Sequence, residues 1–330
     1  MIAAQTSRRR YQWRKLGRVF DPTDYAQRHE SWMSEFAQAP SVIVFDDYLR
    51  VFFSCRPKPD PRGQYKSYCT YLDVDREDPT RVIRVADHPI LPLGELGMFD
   101  EFGTYPISVI RLGNTLRGYY AGWTRCESVP FNTAIGVAES SDKGTSFEKL
   151  GPGPVIPYTV DEPFVISGPK IRSFNGRFYL YYIAGRQWIL DRGRPEPVYK
   201  IRLATSDDGL NWEKLGRDLI ADQRGTEEAQ ASPDVVYSGG RYHMFFCHRS
   251  GRDYRNQTGG YRIGYAWSED AIRWHRDDRR AGLETSDAGW DHQMVSYPHV
   301  VIVDGKTYLF YLGNDVGKQG FGVAELEGEL

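Results

Sequence analysis

The residues of this chain best suited to chemistry are carboxylates that recur at one place in a repeat. Five prolines, Pro40, Pro106, Pro169, Pro233 and Pro298, stand 66, 63, 64 and 65 residues apart. Five to seven positions ahead of each stands an acid: Glu35, Asp100 with Glu101, Glu162, Glu228 and Asp291. With 44 acids in 330 residues, a three-residue window holds one about one time in three, so five hits together are expected roughly once in a couple of hundred trials. If the five copies converge in space, the carboxylates form a ring. Like charges so placed raise some pKa values and leave others ionised. A protonated acid beside an ionised base is what glycosidic bond cleavage needs. Asp100, Glu162, Glu228 and Asp291 are therefore the candidate catalytic residues.

Other groups recur at the same level of the repeat. Sixteen residues after the prolines come Arg56, Gly122, Gly185, Arg249 and Asn314, with Trp123, Trp188 and His248 beside them. An arginine there either pairs with a neighbouring carboxylate or grips a substrate carboxylate or phosphate through its planar fork. Trp123 and Trp188 offer faces either to a sugar ring or to a neighbouring sheet. Gln38, Tyr105, Gln230, Tyr297 and His299 flank the prolines and can hydrogen-bond hydroxyl groups, and Glu101 stands next to Asp100. His292 and His299 could face a metal, but no ligand cluster at diagnostic spacing supports one, so no metal and no cofactor is expected.

The elements that position these groups are short strands. Ser232 to Arg249 reads as a β-hairpin: proline start, apolar run, Gly239-Gly240 turn, aromatic second strand. Thirteen residues after each proline stands an aromatic: Phe53, Tyr119, Tyr182, Phe246, Tyr311. A third strand follows, then a turn of the form Ser/Thr-x-Asp-x-Gly-x-x-aromatic, as in Ser140 to Phe147 and Thr205 to Trp212, decayed in Trp267 to Trp274. The second hairpin strand of the third unit is expected over 178–184 and its third strand over 200–205. A period of this size signals an array of similar units. Four antiparallel strands repeated five times predict an all-β, five-bladed β-propeller, one domain over 1–330. Residues 13–20 repeat the tail of a unit (Trp13-Arg14-Lys15-Leu16-Gly17 beside Trp212-Glu213-Lys214-Leu215-Gly216), so this N-terminal strand is expected to close the last blade.

A net charge of -2 gives no reason to expect nucleic acid or an acidic membrane as partner. No apolar segment follows the Arg8-Arg9-Arg10 triplet, so neither a signal peptide nor a membrane span is expected. Cys55, Cys69, Cys126 and Cys247 lack metal or redox spacing; free thiols and a cytoplasmic location are expected, in a monomer or weak homo-oligomer. Nucleophile-elbow, phosphate-loop, dinucleotide and zinc-protease motifs are missing.

Several segments resemble the five-bladed propeller glycoside hydrolases of families 43, 32, 62, 68 and 130, and above all family-43-like proteins of bacterial glycan gene clusters. They are Phe36 to Pro40, Phe99 to Pro106, Glu228 to Pro233, Gly289-Trp290-Asp291 with Tyr297-Pro298, and Tyr311 to Asn314 with Gly320 to Ala324. The resemblance implies three inner-strand carboxylates: a base or nucleophile, a helper and a glutamic acid. By blade position it makes Glu228 the acid, with Asp100 and Asp291 as base and tuner. The family's blade-one aspartate is Ala39 here, and Gly168 precedes Pro169 in blade three. Three functions follow: a glycoside hydrolase or transglycosidase acting on a small sugar-containing substrate, a biosynthetic tailoring enzyme on the same scaffold, or a sugar-binding propeller without turnover.

Overall fold

The computed structural model describes residues 9–25 and 32–330. The N-terminal strand β1 (Trp13–Phe20) precedes five repeats. The first holds β2 (Glu35–Val44), β3 (Tyr48–Arg56), β4 (Tyr68–Asp75) and β5 (Val82–Val85). The second holds β6 (Thr104–Leu112), β7 (Thr115–Thr124), β8 (Asn132–Ser140) and β9 (Glu148–Lys149). The third holds β10 (Ser167–Phe174), β11 (Arg177–Asp191), β12 (Arg194–Ser206) and β13 (Glu213–Lys214). The fourth holds β14 (Ala229–Ser238), β15 (Arg241–Arg249), β16 (Arg262–Ser268) and β17 (His275–Arg276). The fifth has β18 (Ser296–Val303), β19 (Lys306–Leu312) and β20 (Phe321–Leu326), and β1 completes it as the outermost strand.

All pairings are antiparallel, and the five sheets are the blades of a propeller. Closure is visible in the packing. One apolar cluster fills each of the five junctions between blades, including the junction of blades five and one. The recurrent turns serve those junctions. Asp142 Oδ1 accepts the Thr145 and Ser146 N–H groups at 3.0 and 3.1 Å, and Phe147 packs on Phe52 of the preceding blade. Trp212 and Trp274 repeat the contact on Tyr119 and Tyr181. In the decayed copy Ala271 occupies the glycine's place at φ 63, a left-handed conformation that strains a side-chain-bearing residue.

Two differences from the sequence reading matter. The inner strands begin ahead of the prolines, so the acids lie at or just before strand starts. In blade three the hairpin runs far beyond the expected ends at 184 and 200: β11 and β12 stay paired from Phe178↔Ser206 out to Asp191↔Arg194. Alternation is broken there by Gly185-Arg186-Gln187 and by two prolines, Pro195 and Pro197, which masked the strand signal.

Around the axis, side chains just after the prolines stitch each inner strand to the next. Ser41 Oγ accepts the Val109 N–H, Ser108 Oγ the Ile171 N–H, Asp234 the Val300 N–H at 2.6 Å and His299 Nε2 the Val42 N–H at 2.9 Å. Arg172 spans blades three and four, donating to Val235 O and Asp234. Lys170 lies buried across this ring, 3.2 Å from Pro40 O and 4.0 Å from Asp234 Oδ1. Burial pushes its pKa down to about 8.

Buried histidines set an acid limit on this fold. Desolvation lowers His299 and His243 to about 4 against an ordinary 6.5. Between those values the unfolded chain binds more protons than the folded one, so stability falls as pH drops through the window. From pH 7 to pH 5 the cost is expected to be about 2 kcal/mol for each histidine. Urea midpoints across that range check this, and a level midpoint contradicts it.

Candidate active site

The four proposed catalytic acids do not meet at the channel. Each is locked inside its own blade. Asp100 accepts the Tyr120 hydroxyl at 2.8 Å and Lys149 Nζ at 2.6 Å. Glu162 accepts Tyr182 at 2.9 Å and Lys214 at 2.6 Å, with Arg202 3.6 Å away. Asp291 accepts Tyr311 at 3.0 Å and Lys15 at 2.6 Å. Glu228 accepts Arg276 at 2.6 Å, Gln230 at 2.9 Å and the N–H groups of Gln223 and Arg224. All four are at most 2% exposed.

Their cations stand on β9, β13, β1 and β17, the outermost strands, roughly 14 Å from the inner strands at the usual spacing. The acids therefore point away from the axis. For Glu228, burial works to raise the pKa, but the Arg276 and Gln230 hydrogen bonds outweigh it and hold the carboxyl below its usual range. An ionised, four-fold hydrogen-bonded carboxylate is no proton donor at neutral pH, so the geometry does not support Glu228 as the acid.

The channel mouth is built by a different device. Every inner strand carries a register break at its proline. In four blades the residue ahead of the proline is left-handed: Ala39 (φ 53), Gly168 (φ 60), Ser232 (φ 51) and Tyr297 (φ 51). In blade two the Tyr105–Pro106 peptide is cis. Bulges re-aim side chains, and here they bring Tyr105 and Tyr297 together. The two phenols lie close enough for each to act on the other's pKa. The five bulge positions thus hold Ala, Tyr, Gly, Ser and Tyr, with no carboxylate among them.

Arg56, at the end of β3, faces this ring. Its guanidinium lies over Phe36 (4.6 Å), Tyr65 and Tyr105 (5.4 Å each) and Trp123 (5.5 Å). It makes no ion pair among the described residues, and its Nε is buried without a hydrogen-bond partner. Burial lowers its pKa. A cation so placed is costly unless something arrives to pair with it. Gln38 Oε1 and Ser232 Oγ, at the same level, are likewise buried and unpartnered. Gln38 donates to Val316 O, where Asp315 (φ 52) and Val316 (φ 56) are both left-handed, a costly conformation for a β-branched valine.

Arg249 takes the equivalent place in blade four. It donates to Tyr261 Oη, Ser250 O and Pro197 O, lies 3.7 Å over Tyr254, and has no carboxylate partner among the described residues. Tyr261 packs 5.9 Å from Tyr297, which joins the two arginine sites. Trp123 donates to Tyr105 O and stacks on Phe131 (4.4 Å), which reaches Trp188 (5.6 Å) on the long hairpin. Glu35 lies one residue from the cage. It accepts the Tyr65 hydroxyl at 2.8 Å and stands 3.6 Å from Lys318. Unlike Asp100, Glu162, Glu228 and Asp291, it meets no outer-strand cation among the described residues.

Of the expected binding residues, the structure gathers Gln38, Arg56, Tyr105, Trp123, Trp188, Arg249 and Tyr297. Four lie elsewhere. Glu101 accepts Gly97 N–H within its own loop, and Gln230 is fully buried against Glu228 and Asp222. His299 is part of the interblade stitching, and His248 faces Asp278 at 3.3 Å in a separate cavity. Phe36, Tyr65, Phe131, Tyr254 and Tyr261 were not among the expected binding residues; beyond the Phe36 to Pro40 segment, the aromatic excess was their one signal. Among the described residues no group of three or more metal-ligating side chains converges, and Lys170 supplies the positive charge between Asp234 and His299. The four cysteines are free thiols, and among the described residues no helix is long and apolar enough to cross a membrane.

With this geometry, the chain has the fold of the five-bladed propeller glycoside hydrolases. A solved glycoside hydrolase superposes with TM-score 0.72 at 17% identity, covering 94% of this chain and 91% of that one. A structure of the GH130 family of mannoside phosphorylases, among glycoside hydrolases that target β-1,2 mannosidic linkages in Candida mannan, gives 0.69 at 15%, covering 97% and 94%. The chain belongs to the same family as the uncharacterized Mycobacterium tuberculosis proteins MT1551 and Rv1502, each 34% identical over 316 residues, 96% of this chain and 99% of theirs. The β-1,2-mannobiose phosphorylase of Thermoanaerobacter sp. is 28% identical over 127 residues, 37% of this chain and 40% of that enzyme. No family model matches the sequence.

Proposed function

We propose that this protein is a carbohydrate-active enzyme that breaks or transfers a glycosidic bond at the channel mouth, with an anion held by Arg56 as reactant. The observation that carries this is the unpaired Arg56 guanidinium in its aromatic cage, above a bulge ring without carboxylates. Two-carboxylate hydrolysis has no residue pair to perform it there. Transfer to phosphate needs less of the protein. An oxygen of the phosphate forms a bond to the anomeric carbon as the carbon–oxygen bond to the leaving sugar breaks, and the leaving oxygen takes a proton from an acid. The product is a sugar 1-phosphate. Arg56 holds the phosphate, Trp123 and Trp188 offer sugar-stacking faces, and Glu35, held by the Tyr65 hydroxyl and 3.6 Å from Lys318, is the acid beside the cage. The local likeness to a mannobiose phosphorylase is in keeping with this reading, and the free thiols suit a reducing, cytoplasmic setting.

Incubation with a panel of disaccharides, with and without inorganic phosphate, tests it by the appearance of sugar 1-phosphate. Glu35→Gln is expected to lower kcat by about a hundredfold or more while KM changes little, as loss of a general acid does. Phosphate-independent release of free sugar, or full activity in Glu35→Gln, counts against the reading. The small residues Ala39 and Gly168 favour a second one, a sugar-binding or tailoring protein that leaves glycosidic bonds intact. Saturable sugar binding with no bond cleavage across the panel selects it.

A further inference from the structure

A cavity of about 540 Å³ lies between blades four and five, apart from the channel mouth. Arg10, Arg224, His248, Arg262, Arg279 and Glu284 are among the residues that line it. Its two acids are already committed. Glu284 is paired with Arg10 at 2.5 Å, and Asp278 with Arg276 at 2.7 Å and His248 at 3.3 Å. The other three arginines make no ion pair among the described residues. Arg262 donates there only to the carbonyl oxygens of Tyr261, Gln293 and Gln257; burial and the charge of Arg224 lower its pKa against the opposing pull of Glu284. Arg224 and Arg279 are exposed on the rim. Three guanidiniums around one concavity, none with a carboxylate of its own, favour a multiply charged anion.

His248 is 5% exposed and adds no positive charge to the lining. Its pKa is held near 4, first by burial, so the ring is neutral at pH 7, with Nε2 facing the Asp278 carboxylate. The open requirement of the site is therefore an anion. A volume of this size holds a ligand of metabolite dimensions.

We infer that this cavity is a second ligand site, built for a small phosphate monoester. The phosphate meets Arg224, Arg262 and Arg279. The site is independent of the reaction at the channel mouth. It is tested by calorimetric titration of the full chain in the Arg56→Met background, so that the mouth contributes no phosphate binding. The probes are a hexose 6-phosphate, inorganic phosphate and the unphosphorylated hexose.

Saturable hexose 6-phosphate binding is expected, weakened at least tenfold in Arg224→Ala/Arg279→Ala, whose altered residues are both exposed and leave the fold intact. Inorganic phosphate is expected to bind more weakly than the monoester, and the free hexose not at all. No saturable binding, equal binding by the double variant, or binding of the free hexose as tight as its phosphate would each overturn the inference. Binding present in the wild type and lost with Arg56→Met alone would also overturn it, and would place the ligand at the mouth.

Discussion

Arg56→Met is expected to lower kcat/KM by two to three orders of magnitude, roughly 10²–10³-fold, and at the same time to make the protein more stable. That opposed pair of results is the expected signature of a binding cation held ready in the free protein. In the absence of a ligand, the guanidinium has an unpartnered buried Nε, no carboxylate among the described residues and a pKa lowered by burial. Its compensation is the faces of Phe36, Tyr65, Tyr105 and Trp123. Replacing such a group with an apolar side chain of similar length is expected to stabilise by about 1–3 kcal/mol, because the desolvation penalty goes and the stacking volume remains. The loss in kcat/KM is expected at about 10²–10³-fold, the worth of a charge-assisted contact to a reacting anion. Arg56→Lys keeps the charge but loses the planar fork and the stacking. It should recover part of the binding and little of the rate. Urea denaturation beside steady-state kinetics separates the two effects. A variant that loses activity and stability together would mean that Arg56 is a structural residue.

The fold was legible because the repeat wrote it five times. The prolines, the aromatics thirteen residues later and the Asp-Gly turns mark the hairpins, and the displaced Trp13-Arg14-Lys15-Leu16-Gly17 segment foretold the clasp made by β1. The same repetition concealed the role of the acids. Asp100, Glu162 and Asp291 each stand twenty residues before a tyrosine, Tyr120, Tyr182 and Tyr311, which hydrogen-bonds them. The recurring Lys15, Lys149 and Lys214 are their cations. An acid that recurs with its own tyrosine and lysine is part of the blade, inherited with it. A functional group departs from the repeat. Arg56 and Arg249 stand where blades two and three have Gly122 and Gly185, and Glu35 lacks the outer-strand base. What the sequence could not disclose was direction. The bulge at each proline turns one residue toward the axis, and only backbone geometry reveals that this residue is Ala39, Tyr105, Gly168, Ser232 or Tyr297.

The distinction between blade staple and catalyst gives the second large effect. Lys15 lies on the strand that closes the ring, and its ammonium meets Asp291 at 2.6 Å, where the carboxylate is 3% exposed and bonded otherwise to Tyr311. Lys15→Met leaves that carboxylate buried with half its partners. Breaking one side of a buried pair costs about 3–5 kcal/mol, whereas removing both partners together costs much less. Lys15→Met is therefore expected to be severely destabilised, and Lys15→Met/Asp291→Leu to recover a large part of the loss. The same logic applies to Glu228, whose four hydrogen bonds hold Arg276 and the 223–224 backbone. Glu228→Gln should lower the urea midpoint, yet molecules that remain folded should turn over at the wild-type rate. If Glu228 were instead the proton donor, Glu228→Gln would lose activity by orders of magnitude with its fold intact. Midpoints and kcat measured on the same preparations of the three variants decide between a carboxylate that holds a blade together and one that reaches the substrate.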